Sequence, residues 1–367
     1  MKKFILLFLA VCLSLPLFAQ RMGRGRINIP NLKGYTTLKC DLHLHTMFSD
    51  GVVWPTERVD EAYREGIDVI CISDHLHRRA NLQEIEKLAN ISLGNIPQSI
   101  PYDLAREYAK ERGIMLIRGG EITRSAPHGH HNVLFISNEE ELTGTGEVKP
   151  DPMVLFRAAK AQDAFFFWNH PGSKWWPEHT VLYEQGMMNG VEVVNGSTYY
   201  PEAHQWCLDK KLTFMGNTDA HTPIPYTPGK HRAMTLVFAQ SVTQEGVREA
   251  LDKRRTAIYW KDFIIGEEVY LKELFETALE WTVRKNETSV SIMVTNKSDL
   301  TFRLKKTEGA PLGYFRNATI EPFVIEPNSV LAIPVMLPEG VTGGDVSFIV
   351  ENFLVEPSKG MKYTIKI

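Results

Sequence analysis

Cysteine is scarce in this chain, with four in 367 residues. Cys12 stands in the apolar N-terminal run, where Val11 before it and apolar sequence after it do not suit lipidation. Cys40, Cys71 and Cys207 sit in apolar contexts and read as buried small hydrophobes rather than a disulfide framework. Neither sign of charge is in excess: 41 Lys and Arg face 44 Asp and Glu, a net charge of −3. That excludes a global pull toward nucleic acid or anionic membrane. There is no internal repeat, no low-complexity tract and no G-x-S-x-G nucleophile elbow. The Gly-x-Gly of "RMGRGR" precedes the first strand pattern, outside any strand-to-helix phosphate loop.

What is present begins with "MKKFILLFLAVCLSLPLFAQ": two lysines, an apolar run, and Ala19 before Gln20. Residues 1–20 read as a signal peptide, too short for a lasting membrane span. They predict an exported protein, periplasmic or extracellular, with no transmembrane anchor after cleavage. Residues 21–34 read as a leader. Over residues 35–266, apolar runs such as "TLKCDLHLH", "DVICISDH", "AFFFWNH" and "AMTLVFA" alternate with helical patterns such as "TERVDEAYREG". Near-continuous apolar strands separated by helices predict a parallel sheet buried on both faces. Seven or eight such units favour a closed α/β barrel. Residues 267–284 read as a linker. Residues 285–367, with period-2 patterns and Asn/Ser/Gly/Pro turns, predict a small all-β, immunoglobulin-like sandwich.

The chemistry is concentrated at strand ends. In "DLHLHTMFSDG", His43 and His45 are two residues apart on a strand and share a face, and Asp50 follows on a turn. "SDHLH" places Asp74, His75 and His77 where a second strand meets its loop. "GGEIT" offers Glu121, "HGHHNVLF" offers His128, His130 and His131, "NHPG" offers His170, and "GNTDAH" offers Asp219 and His221. Strand ends of a β/α barrel converge on one rim. Unpartnered imidazoles and carboxylates buried there would be costly. With no thiolate among them, the set suits Zn, Mn or Fe. Nine candidates (His43, His45, Asp50, His75, Glu121, His130, His170, Asp219 and His221) exceed the four of one tetrahedral ion and predict two or three divalent metal ions.

In this order, "DLHLHT…SDG", "SDH", "GGE", "GHHN", "NHPG" and "TDAH" resemble the PHP (polymerase and histidinol phosphatase) family, over about residues 36–262. The resemblance implies a distorted, TIM-like (β/α)7 barrel, a trinuclear metal centre and hydrolysis of phosphate esters. It also implies a ligand set: His43, His45, Glu121 and Asp219 on one ion, Glu121, His130 and His170 on a second, and Asp50, His75 and His221 on a third. Asp50 stands where some members carry histidine, which weakens the expectation for the third ion. His131 competes with His130; the family's Gly-His-x-x-apolar pattern favours His130. The sandwich lies outside this part of the resemblance and is similar to Ig-like modules of exported enzymes.

The expected activity is phosphodiester or small phosphomonoester hydrolysis by a metal-bridged hydroxide. Small phosphate esters are the expected partners, with no nucleic acid beyond a possible nucleotide substrate. Arg232 in "KHRAM", beside Lys230 and His231, is the expected phosphate grip because a guanidinium fork matches phosphate oxygens. His77 is the candidate general acid for the leaving group. Trp175, Trp176, Tyr199 and Tyr200 are candidates for an aromatic rim. Glu192 in "VEVVN" is expected to orient a ligand imidazole. Two alternatives compete: an amidohydrolase or lactonase on the same centre, and a non-enzymatic surface binding protein.

Overall fold

The computed structural model describes residues 23–77, 79–89, 96–143, 150–285, 289–307, 322–336 and 343–367. The expected signal peptide and Cys12 lie outside the described residues. The barrel strands are β1 (Thr36–Leu44), β2 (Val69–Ile72), β3 (His75–Leu76), β4 (Met115–Ile122), β5 (His131–Leu134), β6 (Phe165–Trp168), β7 (Gly190–Asn195), β8 (Thr198–Tyr199) and β9 (Thr213–Asn217). Between them lie α1 (Pro55–Glu65), α2 (Ala80–Ala89), α3 (Ile100–Arg112), α4 (Pro152–Ala161), α5 (Pro177–Glu184) and α6 (Pro201–Lys210).

Every residue of β2, β6 and β9 is buried, as strands covered on both faces must be. Proline occupies the first turn of α1, α3, α4, α5 and α6, where its missing N–H has no intrahelical partner to lose. Gly66 ends α1 at φ 87, and a β-carbon there would stand 2.7 Å from the Gly25 carbonyl oxygen. Only glycine meets both demands.

The barrel runs β1-β2-β4-β5-β6-β7-β9, with β3 continuing the line of β2 alongside β4. It closes where Leu44 bridges Ala220, the Asp219 amide donates to the His43 carbonyl at 2.9 Å, and the His45 amide donates to the Ala220 carbonyl at 3.1 Å. Its pairs are parallel except at β5, which is antiparallel to both β4 and β6. The sequence led us to expect parallel strands throughout. The connection from Ile122 to His131 is shorter than the dozen or so residues a parallel crossover needs, so the chain turns straight back.

"AMTLVFA", expected as a further barrel unit, is β10 (Met234–Ala239) and runs antiparallel to the first half of β1. It is followed by α7 (Gln244–Asp252), capped by the Thr243 hydroxyl on the Gly246 amide at 3.0 Å, and by β11 (Thr256–Trp260) and β12 (Phe263–Gly266). The stretch expected as a linker is regular structure: α8 (Glu268–Ala278) and β13 (Leu279–Lys285). Then come β14 (Ser289–Asn296), β15 (Phe302–Lys306), β16 (Phe323–Ile325), β17 (Val330–Met336), β18 (Asp345–Glu356) and β19 (Lys359–Lys366). β13, β14 and β17 form one sheet of a sandwich, and β16, β15, β18 and β19 the other. β18 also pairs with β12 (Ile264↔Phe353), so the barrel's sheet continues into the sandwich.

The two units share one core. Phe275 of α8 is fully buried, with ring centroids of Tyr363, Phe302, Trp281 and Phe353 at 4.7, 5.4, 6.0 and 6.0 Å. The leader joins it: Ile27, Ile29 and Leu32 are buried, Arg24 pairs with Asp68 at 2.8 Å, and the Asn28 amide donates to Asp299 at 2.6 Å. Phe275→Ala should therefore cost about 3–5 kcal/mol. Calorimetry should show one transition moved down as a whole; a melting sandwich above an unshifted barrel would contradict the shared core.

Candidate metal centre

The parallel strands deliver their side chains at their C-terminal ends, and antiparallel β5 reaches the same rim with its N-terminal end. His43 lies on β1 with His45 just beyond it, and Asp50 on the following turn. His75 opens β3, Glu121 lies near the end of β4, and His130 immediately precedes β5. His170 follows β6, and Asp219 and His221 follow β9. His77, His170 and Asp219 hold left-handed backbones, at φ 75, 28 and 53. Such strain gathers where surrounding structure imposes a geometry.

Glu121 occupies the middle and is fully buried. Its Oε2 stands 3.4 Å from His43 Nε2, 3.3 Å from His45 Nε2 and 3.0 Å from His75 Nδ1, while its Oε1 stands 2.5 Å from His130 Nδ1. His43 Nε2 and His45 Nε2 are 3.1 Å apart, and Asp219 Oδ1 lies 3.2 and 3.0 Å from them. Two triangles of donor atoms thus share the His43–His45 edge. A tetrahedral ion with donors at about 2.0–2.1 Å spaces them by about 3.3 Å. Asp50 spans a further group: its Oδ2 is 3.1 Å from His75 Nε2, and its Oδ1 is 3.1 Å from His221 Nε2. The His45 and His221 rings stack at 4.2 Å.

The polar atoms at this centre fit cations. Both Glu121 oxygens, Asp219 Oδ1, Asp50 Oδ1 and His130 Nδ1 are buried with no hydrogen-bond partner. Lone pairs facing lone pairs in a dry pocket are costly unless a proton or a metal stands between them. Three groupings satisfy this: His43, His45 and Glu121; His75, Glu121 and His130; and His45, Asp50, His75 and His221. His75 enters the second grouping, whereas the family pattern implied His170. His170 sits 3.9 Å from Asp219 Oδ2, with its ring 4.8 Å from that of His130.

Other side chains fix which nitrogen of each imidazole faces inward. Glu192, fully buried, meets His43 Nδ1 at 2.9 Å. It also accepts from Asn217 at 3.0 Å, from Asn195 at 2.8 Å and from the His170 amide at 2.7 Å. With His43 donating through Nδ1, its Nε2 lone pair is left toward Glu121 and Asp219. Thr123 Oγ1 meets His75 Nδ1 at 2.5 Å. Ser49 Oγ lies 3.4 Å from His45 Nδ1 and donates to Asp74 Oδ1 at 2.5 Å. Sequence reasoning missed Ser49, Thr123, Asn195 and Asn217. Thr123 had a signal, because it stands two residues past Glu121 and so shares its face.

His131 is not at the centre. It is fully buried, edge-on to Phe156 at 4.9 Å, and burial pushes its pKa well down. Arg232 requires a correction. Its side chain is 2% exposed, with Nη1 donating to Asp41 Oδ2 at 3.1 Å and Nε donating to Glu65. Strand alternation in "KHRAM" did not reveal that two buried carboxylates already hold this guanidinium, so it does not grip phosphate. Lys230 is exposed. Of the expected aromatic rim, Trp175 packs against Trp206 at 5.4 Å and Trp168 at 6.2 Å, and Tyr199 stacks on Trp260 at 6.1 Å. His77 is half-buried, two residues past His75.

Fold and site together define a metal-binding hydrolase-type barrel with its donor set on one rim. The chain belongs to the PHP domain family. A PHP domain model matches residues 41–162, and an Ig-like domain model matches residues 279–366. A crystal structure from Bacteroides vulgatus, described as a two-domain protein containing a predicted PHP-like metal-dependent phosphoesterase, is 44% identical. The alignment covers 94% of this chain and 99% of that one, with a TM-score of 0.86. A 5′-3′ exoribonuclease of Haemophilus influenzae is 39% identical over 87 residues. That match spans about a quarter of each protein, 24% of this chain and 24% of the exoribonuclease.

Two outcomes follow from this geometry. Burial alone would lower the His75 pKa, but its bonds to Asp50 and Glu121 raise it from 6.5 to about 9. The metal-free fold therefore gains stability from His75 below pH 6.5 and loses it as pH rises through 9. Melting temperatures in chelator should fall over that window, and those of metal-loaded protein should not. Separately, Arg232→Ala should cost about 3–5 kcal/mol in urea unfolding, because it strands Asp41 and Glu65. Stability within 1 kcal/mol of wild type, roughly the effect of a surface change, would contradict the clamp.

Proposed function

We propose that this chain is an exported, metal-dependent phosphoesterase acting on phosphodiesters or small phosphomonoesters, nucleotides among them. The observation that carries the reading is Glu121, buried among His43, His45, His75 and His130 with both oxygens otherwise unpartnered. The similarity to the exoribonuclease over 87 residues favours the diester side. The N-terminal twenty residues support export, and among the described residues no helix is long and apolar enough to cross a membrane.

His43, His45, Glu121 and Asp219 would hold one ion. Glu121 with His130, and with His75 or His170, would hold a second, and Asp50, His75 and His221 a third; Zn, Mn or Fe suits this donor set. When bound, such cations supply Lewis acidity toward phosphoryl oxygens and lower the pKa of water. The chain's own residues do the rest. Glu192 holds a proton on Nδ1 of His43, keeping its Nε2 directed inward, while Thr123 and Glu121 both meet His75 Nδ1 and so orient that ring. The barrel's apolar strands keep water from approaching beneath the rim. His77, beyond His75 on a left-handed turn, is assigned the proton for the leaving oxygen.

One observation favours a second reading. Arg232 is bound to Asp41 and Glu65, so the guanidinium expected to select phosphate is not at the site. A carboxamide or lactone on the same centre would not need it. The test is a panel of bis-p-nitrophenyl phosphate, p-nitrophenyl phosphate, an anilide and a lactone, with Mn²⁺ or Zn²⁺ restored. Turnover of a phosphate ester is expected, with loss on chelation and in His43→Ala. Activity confined to the anilide or lactone would replace the phosphoesterase reading with the second.

A further inference from the structure

The withdrawal of Arg232 leaves the substrate's phosphoryl oxygens without their expected protein donor, and the β7–β8 hairpin presents another. In that hairpin Val194 pairs with Tyr199 and Asn195 with Thr198. Cross-strand partners share a face and successive residues alternate. Asn195 marks the face toward the metal centre, because its Nδ2 donates to Glu192 at 2.8 Å and to Asp219 at 3.2 Å. Tyr199 marks the opposite face, with its ring on Trp260 and its hydroxyl 2.9 Å from His204 Nδ1. Tyr200 continues the ladder, its amide donating to the Val193 carbonyl at 2.9 Å, and so turns to the side of Asn195 and Thr198.

The electrostatics agree with that placement. Burial, then the Glu192 and Asp219 carboxylates, raise the Tyr200 pKa, and a hydrogen bond from Thr198 opposes them. The two carboxylates that act on the phenol are the ones that Asn195, on the same face of the hairpin, also meets. Tyr200 is only half-buried, so a ligand at the rim can meet it. A neutral donor also suits this position. A guanidinium beside Asp219 and Glu192 would be drawn into an ion pair with them, as Arg232 is with Asp41 and Glu65.

We propose that the Tyr200 hydroxyl donates a hydrogen bond to a non-bridging phosphoryl oxygen of the substrate, in the role expected of Arg232. This rests on the phosphoesterase reading. No proton is transferred; the residue positions the phosphoryl group beside Asp219.

The test uses the full chain with Mn²⁺ restored and compares wild type, Tyr200→Phe and Tyr199→Phe. Inorganic phosphate binding is read by calorimetry, the KM for bis-p-nitrophenyl phosphate by absorbance, and metal content by elemental analysis. Tyr200→Phe should weaken phosphate binding and raise KM by about tenfold or more, with metal content and melting temperature unchanged. Tyr199→Phe, on the opposite face, should stay near wild type. Phosphate binding in Tyr200→Phe equal to wild type overturns the proposal. Loss of metal in that variant also overturns it, since Tyr200 would then support the ligands instead. A wild type that binds phosphate but hydrolyses no ester ends the phosphoesterase reading, while the binding ratio still decides Tyr200. A wild type that binds no phosphate ends both.

Discussion

A single buried carboxylate organises this protein. Glu121 is surrounded by His43, His45, His75 and His130. Burial alone would push its proton affinity up, yet those imidazoles hold its pKa well below the ordinary carboxylate range. An ionised group in such a place is tolerated only where opposite charge is permanently at hand. His75 of β3 and His130 just before β5 flank it on either side, and Thr123 meets the His75 imidazole from the end of β4. Glu192, fed by Asn195, Asn217 and the His170 amide, meets that of His43.

The barrel makes that convergence possible. Parallel strands present their C-terminal ends on one rim, and β5 contributes His130 only because it runs the other way and meets the rim with its N-terminal end. Closure is local to the site as well. The β1–β9 seam is made by Leu44, Ala220, and the backbone of His43, His45 and Asp219. The bonds that complete the barrel thus also set the spacing between β1's two histidines and the aspartate facing them.

The sandwich is not a loosely tethered module. β12 and β18 pair, Phe275 of α8 is enclosed by aromatic rings of the sandwich, and the leader is hydrogen-bonded to Asp68 on one unit and Asp299 on the other. A segment that reads as a leader and one that reads as a linker are both seams. Composition does not mark a seam, because Ile27, Ile29 and Leu32 look like any short apolar run until their partners, far off in sequence, are known.

The donor set was legible because its spacing is local. A two-residue interval on a strand puts His43 with His45, and strand-end placement puts Asp50, Glu121, Asp219 and His221 on a common rim. The family resemblance then supplied the barrel. What spacing did not carry is direction and pairing across long separations. The reversal of β5, the antiparallel course of β10, and the capture of Arg232 by Asp41 and Glu65 all depend on groups brought together only by closure. The same holds for His130 over His131: one residue's shift along a strand exchanges a side chain of the Glu121 cluster for a core side chain. By itself the chain's order of residues determined which groups exist and which share a strand face, since those follow from backbone geometry. Tertiary structure alone decided which buried charges neutralise one another, because that depends on distances the linear sequence does not contain.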